Sequence, residues 1–285
     1  MALEYLSEIA LNSFISLALA EDIGEGDFTT DSCIPKEERS SAKLLIKEDG
    51  ILAGVNLAER IILRLDPGAK FDLKIHDGKL VKAGEIAFNI TANTRAILSG
   101  ERLILNCMQR MSGIATKTNE LLGLIKHTNC SLLDTRKTTP NFRVLEKWAV
   151  VIGGGKNHRY NLSDMLMIKD NHIDYAGGIT SAIKKAQSFL LEKKLDRKIE
   201  VEARTLAEVK EIVECGGVFR ILLDNMTPSQ TVMALKLIPS DIETEASGNI
   251  TGDTIAYYAE TGVDYISVGA LTHSIKSLDL SLKAI

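Results

Sequence analysis

From Ser131 onward the chain alternates short apolar runs with helix-length amphipathic segments, and this alternation restricts it to a parallel α/β architecture. The runs are Ser131–Asp134, Met165–Lys169, Ile199–Ala203, Arg220–Asp224, Ile242–Ser247 and Tyr265–Gly269. Helical stretches lie between them: Thr180–Lys193, Thr205–Glu214, Thr227–Leu237 and Thr251–Glu260. Neighbouring parallel strands need crossover connections, and helices supply them in the right-handed sense. Thr205 with Glu208, and Thr227 with Gln230, carry the spacing of capping boxes, which marks where two of these helices begin. Polar residues close most of the runs, as expected of a barrel whose active site collects at the C-terminal strand ends.

The first hundred residues follow another pattern. A helix is predicted over Tyr5–Ala20, followed by strands separated at Asp49-Gly50, Asp66-Pro67-Gly68, Asp77-Gly78 and Ala83-Gly84. This suits an α+β domain built on antiparallel hairpins. A long helical segment over Leu98–Lys126, interrupted near Ser112-Gly113, then leads toward the barrel. The hairpin near Asp77–Glu85 shares its geometry with lipoyl and biotinyl carrier domains, but no modifiable lysine stands at a tight turn. Met108, Met111 and Trp148 sit at helical spacing and read as core.

Composition removes several function classes. The four cysteines are scattered without paired spacing, which speaks for reduced thiols rather than a disulfide or zinc framework. A net charge of −4 and an aromatic content of 5% disfavour nucleic acid as a partner. No apolar run approaches the ~18 residues of a membrane span, and the N-terminus lacks the features of a secretion signal. A cytoplasmic enzyme with no membrane partner is the expectation.

Against that mildly acidic background, cations cluster between Asp134 and Lys169. Arg136 and Lys137 follow one strand, His158 and Arg159 follow Gly153-Gly154-Gly155-Lys156-Asn157, and Lys169 ends the next strand. The glycine run is not a phosphate-binding P-loop, because Asn157 stands where that motif needs Ser or Thr and a helix-like segment, Val144–Ile152, precedes it. It reads as a helix end that brings His158 and Arg159 toward a ligand. Arginine forks grip carboxylates in pairs while lysine acts as a movable charge, so the mixture suits a ligand with several oxyanions. The competing reading is that Arg136 and Lys137 neutralise Glu146 or Glu202.

Glu200 and Glu202 alternate along one strand and face the same side, and Asp224 closes the next strand. Glu200 alone fits a buried ion-pair lattice equally well. Glu202 and Asp224 fit sugar hydroxyls, a hydrated Mg²⁺, or both. The final two strands end in Ser247-Gly248-Asn249 and Val268-Gly269-Ala270, small residues ahead of helices that suit a phosphate cradle. No metal-ligand spacing joins His158 and His172.

These strings closely resemble the quinolinate phosphoribosyltransferase family. The match also takes in Glu21-Asp22-Ile23-Gly24, Gly100-Glu101-Arg102, Ser112-Gly113-Ile114-Ala115-Thr116, Asp134–Pro140, Leu223-Asp224-Asn225 and Ala246–Ile250, in order along nearly the whole chain. Asn141 and Phe142 stand where many members have Gly and Leu; Asn tolerates left-handed backbone. The resemblance implies an N-terminal α/β sandwich over residues 1–110, joined by a C-terminal helix 275–285, and an open α/β barrel over 111–274, the type II phosphoribosyltransferase fold. It implies transfer of phosphoribose from phosphoribosyl pyrophosphate to quinolinate, with Mg²⁺ and loss of CO₂, in NAD biosynthesis. By the same resemblance Arg136, His158, Arg159 and Lys169 would hold the quinolinate carboxylates, with Arg102 supplied by the neighbouring subunit of a homodimer. Lys137, Glu202 and Asp224 would be catalytic: Lys137 would sit between quinolinate and the pyrophosphate, and Glu202 and Asp224 would meet the ribose and the metal, directly or through water. Ser247, Gly248, Asn249, Gly269 and Ala270 would take the 5-phosphate. Assembly of dimers into hexamers is left open.

Overall fold

The computed structural model describes residues 5–285. In chain order its elements are α1 (Glu8–Ile23), α2 (Phe28–Cys33), β1 (Arg39–Ile46), β2 (Gly50–Ile51), α3 (Val55–Leu65), β3 (Lys70–Leu73), β4 (Leu80–Val81), β5 (Ile86–Asn93) and α4 (Thr94–Ile125). There follow β6 (Ser131–Leu133), α5 (Arg143–Ile152), β7 (Leu166–Ile168), α6 (Asp170–Ala176), α7 (Ile179–Lys193), β8 (Ile199–Ala203), α8 (Leu206–Cys215) and β9 (Arg220–Asp224). The chain ends with α9 (Pro228–Leu235), β10 (Glu243–Ser247), α10 (Ile255–Ala259), β11 (Tyr265–Ser267), α11 (Ala270–His273) and β12 (Leu280–Ala284). Compactness groups it into two units: one up to Asn119 with Thr138–Gly154 and Ala270–Ile285, the other Glu120–Lys137 with Gly155–Gly269. This grouping departs from a simple division at residue 110, because α5 and the C-terminal segment pack in the first unit.

In the first unit an antiparallel sheet runs in the order β12-β1-β5-β3. Its last strand overturns the expected C-terminal helix over 275–285. Residues 280–284 alternate, with Leu280 and Leu282 buried, and pair with β1 from Ile46↔Leu280 to Ala42↔Ala284. That is strand periodicity, and the open edge of β1 supplies its hydrogen bonds. Helix α3 was not anticipated either. Gly54 enters it at φ +95°, and its first amides are capped from afar: Asp77 accepts from Val55 N at 2.8 Å and from Asn56 N at 3.4 Å. The expected interruption of α4 at Ser112-Gly113 does not occur. Ser112 Oγ bonds the backbone of Ala53 at 2.9 and 3.1 Å, and a Cβ on Gly113 would lie 2.3 Å from Lys276 O. The two small residues serve close packing rather than a break. Met108 and Met111 are fully buried, as core.

The second unit is a six-stranded parallel sheet in the order β6-β11-β10-β9-β8-β7. It stays open, since β6 and β7 lie at opposite edges and β6 gains only a bridge from Leu133 to Lys156. Residues alternate faces along each strand. Ile199, Val201, Ala203, Ile221 and Leu223 join an apolar core with Ile183 of α7, Val209 and Ile212 of α8 and Ala234 of α9. Their neighbours Glu200, Glu202, Arg220, Leu222 and Asp224 therefore face the other side. Both capping boxes form: Thr205 accepts from Glu208 N, and Thr227 from Gln230 N. The segment expected as helix over Thr251–Glu260 contracts to α10.

Candidate active site

The sheet register builds the site. Met167 on β7 is level with Glu200, so Lys169, two residues on, comes level with Glu202; its Nζ lies 3.1 Å from Glu202 Oε2. Glu202 is level with Leu222, placing Asp224 one step nearer the strand end, where it pairs with Ser247 of β10. Burial raises the Glu202 carboxyl above its ordinary value, Lys169 opposes that, and the nearby charge of Asp224 adds to it. Two neighbouring strand-end acids offer oxygen donors of the kind Mg²⁺ takes, with Lys169 sharing Glu202.

The cationic side meets the same region. Asp134, fully buried, accepts from His158 N at 2.9 Å and from Asn157 Nδ2 at 2.6 Å, which fixes the course of the chain into Arg159. Arg159 is buried; one guanidinium nitrogen donates to Met165 O at 3.1 Å. Burial and then the charge of Arg136 push its pKa down, so the two guanidinium groups feel one another. The Nε of Arg136 is buried without a hydrogen-bond partner. The acids that might have neutralised Arg136 are engaged elsewhere. Glu146 pairs with Arg110 at 2.7 Å and accepts from Thr139, and Glu202 pairs with Lys169. Repelling guanidinium groups with a buried unsatisfied donor call for an anion. Lys137 is exposed, its amide turned onto Thr135 Oγ1 at 3.0 Å.

His158 is placed differently from its neighbours. Its Nε2 points into the sheet's polar face, 2.9 Å from Glu200 and 3.4 Å from Glu245, both fully buried. Arg220 completes the group, with Nη1 3.1 Å from Glu245. Burial alone would lower the imidazole pKa, but the two carboxylates outweigh it and raise it to about 9. The Arg159 amide lies 2.7 Å from Nδ1, so when the imidazolium gives up a proton it is the one on Nδ1, and Nε2 keeps its hydrogen toward the acids. Burial and Glu245 raise Glu200, while contacts with His158 and Arg220 overcome burial to hold Glu245 low. As a unit the quartet therefore retains protons well above the range of an isolated histidine. His158, Glu200 and Glu245 also have the proximity of a metal site, but Arg220 already supplies cationic charge there. Sequence reasoning missed Glu245 and Arg220; the Glu243/Glu245 alternation in β10 repeats that of Glu200/Glu202 and is the signal that finds them. His172, by contrast, accepts from Lys169 N at 3.0 Å as a helix cap.

Ser247, Gly248 and Asn249 form the turn after β10, with Gly248 at φ +98° and Asn249 at φ +51°. Ser247 Oγ bonds Ser267 Oγ at 3.0 Å, joining the ends of β10 and β11. Gly269 follows β11 and Ala270 opens α11, a single turn of four residues. What these residues offer a ligand is turn backbone more than helix dipoles. Ala270 and Arg102 fall in the first unit, and Arg102 is exposed on α4. Asn141 adopts φ +61°, the left-handed conformation expected of it.

An open parallel sheet that carries a buried imidazole and guanidinium and acids at its strand ends, beside a small-residue turn, suits a class of enzyme that joins a polyanionic acceptor to a sugar phosphate. Comparison with known proteins narrows that class. Residues 27–112 match the N-terminal domain of quinolinate phosphoribosyl transferase and residues 114–283 its C-terminal domain. The chain is 47% identical over 288 residues to a chloroplastic nicotinate-nucleotide pyrophosphorylase [carboxylating] of Oryza sativa, covering 96% of this chain and 77% of that one. It is 46% identical to quinolinate phosphoribosyltransferase [decarboxylating] 1b of Nicotiana tabacum, covering 96% and 82%. Among solved structures, the nicotinate-nucleotide pyrophosphorylase of Francisella tularensis superposes with a TM-score of 0.90 at 38% identity, over 98% of both chains. Human nicotinic acid phosphoribosyltransferase, at 11% identity and TM-score 0.60, shares the fold alone, covering 98% of this chain and 74% of that one. The chain belongs to the quinolinate phosphoribosyltransferase family.

Proposed function

We propose that this chain transfers phosphoribose from phosphoribosyl pyrophosphate to the ring nitrogen of quinolinate and releases pyrophosphate and CO₂, giving nicotinate mononucleotide for NAD biosynthesis. The observation that carries the acceptor site is the buried, unsatisfied Nε of Arg136 beside Arg159. A ligand with two adjacent carboxylates satisfies both guanidinium groups, and Lys169 adds a third charge between that ligand and Glu202. His158 supports the pocket from below through Glu200 and Glu245, and a change of rotamer would be needed for it to donate to a carboxylate itself. Arg102 would come from a second copy in a homodimer, an arrangement its exposure supports.

The chemistry asks little covalent work of the protein. The anomeric C–O bond breaks and its electron pair leaves with pyrophosphate. The positive charge that develops on the sugar is stabilised by Glu202 and Asp224, fixed beforehand at their strand ends. The pyridine nitrogen forms the new bond to the anomeric carbon, and the pyridinium then accepts the electron pair of the breaking carbon–carboxylate bond as CO₂ departs. A proton from solvent replaces the carboxylate. Mg²⁺, held by Glu202 and Asp224 directly or through water, would supply charge neutralisation for pyrophosphate. Lys137, Ser247, Gly248, Asn249, Gly269 and Ala270 would bind the phosphates, and positioning supplies much of the acceleration. No helix among the described residues is long and apolar enough to cross a membrane.

The reaction is tested by mixing the protein with quinolinate, phosphoribosyl pyrophosphate and Mg²⁺ and following nicotinate mononucleotide. Product formation with quinolinate is expected; turnover of nicotinate with none of quinolinate would overturn the assignment.

A further inference from the structure

The sugar-side acid and the phosphate turn are not independent. Asn225 follows Asp224 at the end of β9, in the left-handed conformation at φ +54°, and its amide donates to Ser247 O at 2.9 Å across the strand ends. Its side chain spans the gap between two subsites. Nδ2 donates to Asp224 Oδ2 at 2.7 Å, and Oδ1 accepts from Asn249 Nδ2 at 3.1 Å. A carboxylate only accepts, so the amide orientation is fixed by chemistry: nitrogen toward Asp224, oxygen toward the turn. The next turn residue is shaped around it. A Cβ on Gly248 would lie 2.2 Å from Asn225 Oδ1, closer than any side chain tolerates. Gly248 is thus glycine for two reasons, its φ of +98° and the carboxamide lying against it.

We propose that Asn225 is a positioning residue: its carboxamide ties Asp224 to the Ser247–Asn249 turn, so that the ribose and 5-phosphate of phosphoribosyl pyrophosphate are held by one preorganised unit. The side chain is exposed, so its place is set by these directional bonds and not by packing. An exposed asparagine held in left-handed backbone between a carboxylate and a phosphate turn has a role in orientation. The inference rests on the proposed function, since it takes Asp224 and the turn as binding opposite ends of one substrate.

Glycine at 225 keeps the backbone conformation and removes only the bridge, which makes Asn225→Gly the clean variant. Its affinity for phosphoribosyl pyrophosphate, measured by calorimetry without quinolinate, should fall about tenfold, the size expected when a hydrogen bond to a charged group is lost. The KM for quinolinate should stay within about twofold, which also shows that the chain is folded. Asn225→Asp, which tolerates the same backbone but sets a second acid against Asp224, should weaken phosphoribosyl pyrophosphate at least as much. Asn249→Gly combined with Asn225→Gly should be no worse than the stronger single variant, because both remove the same link. Unchanged phosphoribosyl pyrophosphate affinity in Asn225→Gly and Asn225→Asp, in a background where the wild type binds it, would overturn the bridge alone. A wild-type chain that binds no phosphoribosyl pyrophosphate and forms no nicotinate mononucleotide from the two substrates together would overturn the function on which the bridge rests. Equal losses for both substrates would reduce Asn225 to a structural residue and overturn its positioning role.

Discussion

The two faces of the parallel sheet are made by the same strands and do opposite work. On β8, Ile199, Val201 and Ala203 turn to the helices while Glu200 and Glu202 turn to the polar face, and every one of the five is buried. On β9, Ile221 and Leu223 alternate with Arg220, Leu222 and Asp224 in the same way. Burial alone therefore does not separate scaffold from site. What separates them is the origin of the energy: one face is held by area removed from water, the other by charges that need each other or a ligand. A substitution on the first face should cost stability and spare binding; on the second, loss of a ligand-facing charge should do the reverse, while loss of a partner in the His158 quartet should cost stability as well.

The largest effect expected lies on the helix side. Ile221→Ala empties a fully buried position and should cost about 2–5 kcal/mol in denaturant unfolding while both KM values hold. Arg136→Ala should lower quinolinate affinity roughly 100-fold through loss of charge-assisted bonds, yet leave the melting temperature unchanged or higher. It removes a charge that disfavours Arg159, so a clear loss of stability would break the distinction between the faces. Asp224→Ala should reduce turnover about tenfold or more with little change in quinolinate affinity. Equal losses of quinolinate affinity in Arg136→Ala and Asp224→Ala would merge two subsites that are drawn here as separate.

A further effect is one of pH. An imidazole whose folded pKa is raised stabilises the fold fully below its unfolded value near 6.5, and that contribution is lost as pH climbs through about 9. Thermal stability should therefore decline across that alkaline window. Glu245→Gln, which removes one of the two acids at His158, should move the decline toward lower pH; a flat profile in the wild type would contradict the quartet.

Much of this was legible in the sequence, and the exceptions share a cause. Strands β8 and β9 match their expected bounds, because alternation and capping are local signals carried by the residues themselves. Helix α3 was invisible because its N-terminal amides are capped by Asp77, twenty-odd residues downstream, in place of a local Ser or Thr. The continuity of α4 through Ser112-Gly113 depends on Ala53 and Lys276, equally remote in sequence. Strand β12 did show period-two burial at Leu280 and Leu282, but a five-residue segment becomes a strand only where an edge such as β1 awaits it. The site's charges could be read from spacing. Their pairing could not: that Glu146 belongs to Arg110, and Glu200 to His158, follows from the fold alone.

The sharpest test follows one atom. Quinolinate labelled in the carboxylate next to the ring nitrogen should release its label as CO₂, one for each pyrophosphate formed, and Arg136→Ala should abolish both at ordinary substrate levels. Label kept in a nucleotide product, or pyrophosphate released with no quinolinate present at the same rate, would contradict the account.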